Sequence, residues 1–209
     1  MYNQEKGRAA AAGEGALYME EKKLLCFGDS NTYGYRPYDG RWGREIRWCG
    51  RLQEALGPGY RVIEAGLNGR AVGSYDELWP EKNGVDVIAS YVRRDLPLSL
   101  LVVMLGSNDA LFAATEDIRA DMERLILRAK AAMAGEECPI LLLAPSGGWN
   151  SDACLLAPAY RQLAKEQGLL FADTGEWEAE LAEDGCHLSA AGHERFFRKI
   201  LQLIKENGI

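Results

Sequence analysis

From Lys22 onward, short apolar runs alternate with longer stretches in which apolar residues recur at helical spacing. KLLCF (23–27), RVIEAG (61–66), LSLLVVML (98–105), PILLLA (139–144) and LLFAD (169–173) read as five strands. The third and fourth are continuous apolar runs, as expected of strands covered on both faces. Between them, REIRWCGRLQEAL (44–56) places Ile46, Cys49, Leu52 and Leu56 on one helical face and stops at Gly57-Pro58. VDVIASYVRR (85–94) predicts a shorter helix. TEDIRADMERLILRAKAAMA (115–134) predicts a long one, acidic at its start and basic later, as the helix dipole favours. In ACLLAPAYRQLAKEQ (153–167) the regular part is expected to begin at Pro158. The last helix, 189–206, has Ser189 as its N-cap.

Strands alternating with helices predict an α/β fold, a parallel sheet covered on both faces. Ligands of such sheets bind beyond the carboxyl ends of the strands, near the point where strand order reverses. Polar motifs fall where that rule puts them. GDSN (28–31) follows the first strand, GLNGR (66–70) the second and GSND (106–109) the third, while EDGCH (183–187) lies beyond the fifth. Any one of them alone reads as a polar turn, since Gly, Asp, Asn and Ser are turn formers.

Composition narrows the partners. Lys and Arg number 24 against 31 Asp and Glu, a net charge of -7. No basic block occurs, which argues against nucleic acid or an anionic membrane surface. No apolar run is long enough to span a bilayer. The five cysteines (26, 49, 138, 154 and 186) include no CxxC pair. They read as reduced, mostly buried thiols of a cytoplasmic protein. With two histidines and no Cys/His pair at ligand spacing, no metal site is expected. Residues 1–21 read as an N-terminal arm, with Met19 a candidate natural start, ahead of one domain over 22–209. MYNQEKGRAAAAGEGALY (1–18) has no hydrophobic signal core.

The clustered motifs supply what nucleophilic acyl transfer needs: a hydroxyl, a base, a group that orients the base, and donors for the oxyanion. Ser30 supplies the hydroxyl, and its backbone N–H, at a helix start, is free to point at an oxyanion. Gly69 offers an unobstructed backbone N–H, and Asn108 a side-chain amide. His187 is the base, and Asp184 reaches its imidazole within one local turn. His193, inside the final helix, reads as a surface or helix-packing residue.

In this order and spacing, GDSN, the glycine of GLNGR, GSND and the late DxxH resemble the four blocks of the SGNH (GDSL-type) hydrolases. LCFGDSNTYGY, RWCGRLQEAL, VIEAGLNGRAV and LLVVMLGSNDA resemble the arylesterase/acyltransferase-like branch. The resemblance runs from Lys22 to the last helix. It implies a three-layer α/β/α sandwich with a five-stranded parallel sheet, flavodoxin-like. It implies a Ser30–His187–Asp184 triad and an oxyanion hole from Ser30, Gly69 and Asn108, with Asp29 and Asp109 structural. By the same alignment Asn31, Tyr33, Phe112, Trp149 and Cys186 lie near the substrate. Tyr33 stands where the branch commonly has Trp. The segment between Pro145 and Tyr160 is short, where relatives can carry an insertion that covers the site and joins subunits, so a more open pocket is expected. A homo-oligomer stays open.

The expected chemistry is hydrolysis of small short-chain esters, acetates to butyrates, through an acyl-enzyme on Ser30. Acyl transfer to alcohols can compete, and no metal or organic cofactor is required. The alternatives are a carbohydrate acetylesterase and, in another class, a non-catalytic ligand-binding module on the same kind of sheet.

Overall fold

A computed structural model describes residues 21–73, 79–147 and 151–209. The expected arm and the Met19 start lie outside the described residues apart from Glu21. The five expected strands form one parallel sheet. In chain order, the strands and helices are β1 (Lys22–Gly28), α1 (Ser30–Tyr33), β2 (Tyr35–Arg36), β3 (Gly40–Arg41), α2 (Trp48–Leu56), β4 (Tyr60–Gly66), α3 (Gly84–Asp95), β5 (Leu100–Met104), α4 (Thr115–Ala132), β6 (Ile140–Ala144), α5 (Leu156–Gln167), β7 (Leu170–Asp173) and α6 (Ala190–Glu206).

The sheet runs β4-β1-β5-β6-β7, so the chain reverses its direction of travel at β1. The crevice between β1 and β5 is therefore the topological switch point, where such sheets bind ligands. Side chains alternate across the strands. Leu25, Phe27, Leu101, Val103 and Leu142 pack under α3, α4 and α5. Leu24, Cys26, Val102, Leu141 and Leu143 pack under α2 and α6. This makes the three-layer α/β/α sandwich that the sequence predicts. Among the described residues, no helix is long and apolar enough to cross a membrane.

Three local expectations need correction. The helix expected over 44–56 begins only at Trp48. Its lead-in doubles back, with the Arg44 carbonyl so close to Gly50 that a Cβ there would sit 1.9 Å from it. Arg47, extended at the N-cap, bonds Glu64 instead (Nε–Oε2 2.8 Å). Second, α5 begins at Leu156, ahead of Pro158. A proline in the first turn removes an N–H that would have no helical acceptor anyway. Third, the thiols are not mostly buried: Cys26 and Cys49 are, Cys138 and Cys186 are half-buried, and Cys154 is exposed. The small β2–β3 hairpin was not expected, for its residues show no alternation.

His193 proves to be a packing residue, with 0% of its surface exposed on the inner face of α6. Its Nδ1 accepts the Trp48 N–H at 3.4 Å. Burial, helped by the nearby Arg47 and Arg51, lowers its pKa from 6.5 to about 4. The folded protein thus holds it neutral while the unfolded chain takes up a proton, so its contribution is intact above about 6.5 and is lost as pH falls toward about 4. Asp29 works in the opposite sense. Burial raises its carboxyl from 3.8 to about 6, so its contribution is present in acid and lost as pH rises through about 6. The two oppose each other, and a comparison with His193→Gln separates them. Going from pH 7 to pH 4, the wild type should lose on the order of 2–3 kcal/mol relative to that variant in urea unfolding. A gap that does not change with pH would show that His193 is not held neutral.

Candidate active site

The site is assembled from loop ends on the switch-point edge of the sheet. Ser30 opens α1 directly after β1, and Asp29 caps that short helix by accepting the Asn31 N–H at 2.9 Å. The helix can sit this close to the strand ends because two glycines leave room. A Cβ on Gly28 would lie 2.1 Å from Thr32 Oγ1, and one on Gly66 would lie 2.1 Å from the Tyr33 nitrogen. At the start of the helix the Ser30 N–H has no acceptor among the described residues.

His187 arrives from the loop before α6. Its Nε2 is 2.9 Å from Ser30 Oγ, and its Nδ1 is 2.6 Å from Asp184 Oδ2. Asp184 Oδ1 also accepts the N–H groups of Cys186 and His187, each at 3.0 Å. Burial pushes the Asp184 carboxyl up, but the hydrogen bonds from His187 and Cys186 outweigh it and hold it below its ordinary value. A carboxylate so held stays charged beside the ring. The Tyr35 ring backs the imidazole, centroids 4.6 Å apart.

The loops after β4 and β5 are tied to each other. Asp109 is buried and accepts the Val72 and Gly73 N–H groups. Asn108 donates from Nδ2 to the Arg70 carbonyl at 2.9 Å, which leaves its second N–H for a ligand. Arg70 is buried as well, and its guanidinium bonds the Gly28 and Ala65 carbonyls at the ends of β1 and β4. Ser30, Asn31, Asn108, Asp184, Cys186 and His187 wall one cavity of about 210 Å³, together with Asp29, Ser107, Leu111, Ser146 and Gly147. A hydroxyl bonded to an imidazole, itself bonded to a carboxylate, is the arrangement that activates a nucleophile for acyl transfer.

The family model of the GDSL-like lipases and acylhydrolases matches residues 26–195. The chain belongs to that family. This GDSL-like acylhydrolase is an ester hydrolase. Similar solved structures include Est24, a carbohydrate acetylesterase from Sinorhizobium meliloti, at 27% identity and TM-score 0.83, covering 89% of this chain and 99% of the other. The native aryl esterase of M. smegmatis is similar at 28% identity and TM-score 0.82, over 88% and 99% of the two chains. A second S. meliloti protein, a carbohydrate acetylesterase family member, shares 31% identity at TM-score 0.79, over 88% and 98%. Among curated proteins no sequence matches.

Not every residue read from the sequence of this acylhydrolase reaches the cavity. Gly69, at φ +72, is outside its wall, although the next residue, Arg70, carries the carbonyl that Asn108 holds. Tyr33 lies under the Arg41 guanidinium, 4.2 Å from ring centroid to Cζ, and is not a wall residue. Phe112 is 72% exposed and also lies outside the wall. Trp149 lies outside the described residues. Asn31 and Cys186 do wall the cavity. Sequence reasoning missed Ser107, Leu111, Ser146, Gly147 and Tyr35. Ser146 and Gly147 follow β6, so the carboxyl-end rule that found the other motifs extends to them. Tyr35 ends the LCFGDSNTYGY segment, but no role for it is legible there.

Proposed function

We propose that the protein is a serine esterase that hydrolyses short-chain carboxylic esters through an acyl-enzyme on Ser30. The observation that carries this reading is the hydrogen-bonded line Ser30–His187–Asp184 opening into the cavity. His187 takes the Ser30 proton as the oxygen attacks the ester carbonyl. The oxyanion is held by the Ser30 N–H and the Asn108 amide. His187 then gives its proton to the departing alcohol. Water repeats the sequence on the acyl-enzyme and frees the acid, and another alcohol in place of water would give acyl transfer.

Short acyl groups suit the cavity walls. Among the described wall residues, Ser30, Asn31, Ser107, Asn108 and Ser146 are polar, and Leu111, the large aliphatic side chain among them, is itself 41% exposed. Each methylene gains about 0.8 kcal/mol, roughly fourfold in kcat/KM, only where it is buried. Aryl esters from acetate to octanoate should therefore show kcat/KM highest between acetate and butyrate. A steady climb to octanoate would overturn the short-acyl reading. The structural likeness to carbohydrate acetylesterases supports a second reading, O-acetyl sugars as substrates. Faster turnover of acetylated xylo-oligosaccharides than of aryl acetates would favour it.

A further inference from the structure

Asn31 follows the nucleophile directly, where the family's name has leucine. All four of its polar atoms are engaged. Its N–H bonds Asp29 Oδ1, and its carbonyl accepts Trp48 Nε1 at 3.2 Å. Its side chain spans the two peptide groups that flank His187. Oδ1 accepts the Leu188 N–H at 2.8 Å, and Nδ2 donates to the Cys186 carbonyl at 3.3 Å. These partners also settle the amide's orientation, since an N–H only donates and a carbonyl only accepts. The far side of the same loop is held by Trp42 Nε1 on the Leu188 carbonyl and by the Ala182 N–H on the His187 carbonyl.

We infer that Asn31 is a positioning residue for the base: its amide fixes the His187 backbone to the residue next to Ser30 and so sets the 2.9 Å contact between imidazole and hydroxyl. Of the twenty side chains, few carry a donor and an acceptor on the same carbon. Leucine offers neither, and an ionised aspartate would face the Cys186 carbonyl with a negative oxygen. The Asp184–His187 pair does not depend on Asn31, because both residues sit on the loop being held. The role is added to the substrate contact that the sequence suggested, since Asn31 also walls the cavity and Nδ2 has a second N–H.

The inference rests on the esterase reading above, and its test separates the two. Aryl acetate kinetics would be measured for the wild type, Asn31→Leu and Asn31→Ala, and for each change in a His187→Ala background. In the single variants kcat should fall about 10²-fold, the scale of a small misplacement of a reacting group, with KM within about threefold. Labelling of Ser30 by a fluorophosphonate should slow by a similar factor. The low-field proton resonance of the His187–Asp184 hydrogen bond should persist, which reports that the loop is folded. In the His187→Ala background the Asn31 changes should cost nothing further, because the group they position is gone. Equal kcat in wild type and both single variants would overturn the inference, as would an undiminished loss in the His187→Ala background. An inert, unlabelled wild type would instead sink the esterase reading.

Discussion

Ser30→Ala should lower kcat on an aryl acetate by about 10⁶-fold, the scale seen when a triad nucleophile is removed, and should abolish fluorophosphonate labelling. The hydroxyl's hydrogen-bond partner among the described residues is His187 Nε2, and the cavity lets water replace it. Stability should therefore change by no more than about 1 kcal/mol, the net worth of one ordinary hydrogen bond. The change leaves the donors at Asn108 and the α1 start in place. The residual rate then measures what binding and the oxyanion donors provide without a nucleophile. Activity within tenfold of wild type would remove Ser30 from the reaction.

The strands, the long helices and the loops carrying Ser30, Asn108, Asp184 and His187 were legible in the sequence. Buried parallel strands are continuous apolar runs, and their polar termini stand out against them. What escaped depends on tertiary contacts, most of them between distant segments. Asn31 reads as a pocket residue until the peptide groups it bonds, at Cys186 and Leu188, are seen beside it. The delayed start of α2 comes from the Arg44 carbonyl folding onto Gly50, which no helical periodicity encodes. For His193 the sequence left surface and helix packing open, and only the Trp48 N–H on its Nδ1 and its full burial decide for packing. Gly69 shows the limit from the other side: its motif is plain, but the wall of the cavity is formed without it.

Asp184→Asn should lower kcat by about 10⁴-fold while the fold survives, the scale known for the same change in a serine triad. The carboxylate does two things at once in this loop. Through Oδ1 it accepts the Cys186 and His187 N–H groups, and through Oδ2 it accepts the imidazole Nδ1–H. An asparagine can keep its oxygen on the two backbone donors, so the turn has reason to stay folded. Its NH₂ then faces Nδ1, and two donors cannot share that contact. The imidazole must turn its lone pair to Nδ1 and carry its proton on Nε2, the atom that faces Ser30 Oγ at 2.9 Å. In that tautomer Nε2 cannot accept the serine proton, and no carboxylate remains to stabilise the imidazolium when it forms. The loss should appear in kcat, with KM nearly unchanged, since no substrate contact is removed. Raising the pH should not restore the rate, because the fault lies in the tautomer rather than in protonation. An unchanged rate in Asp184→Asn would assign the orienting role to another acid. A rate that recovers fully in alkali would mean that Asp184 sets only the charge of His187, not its tautomer.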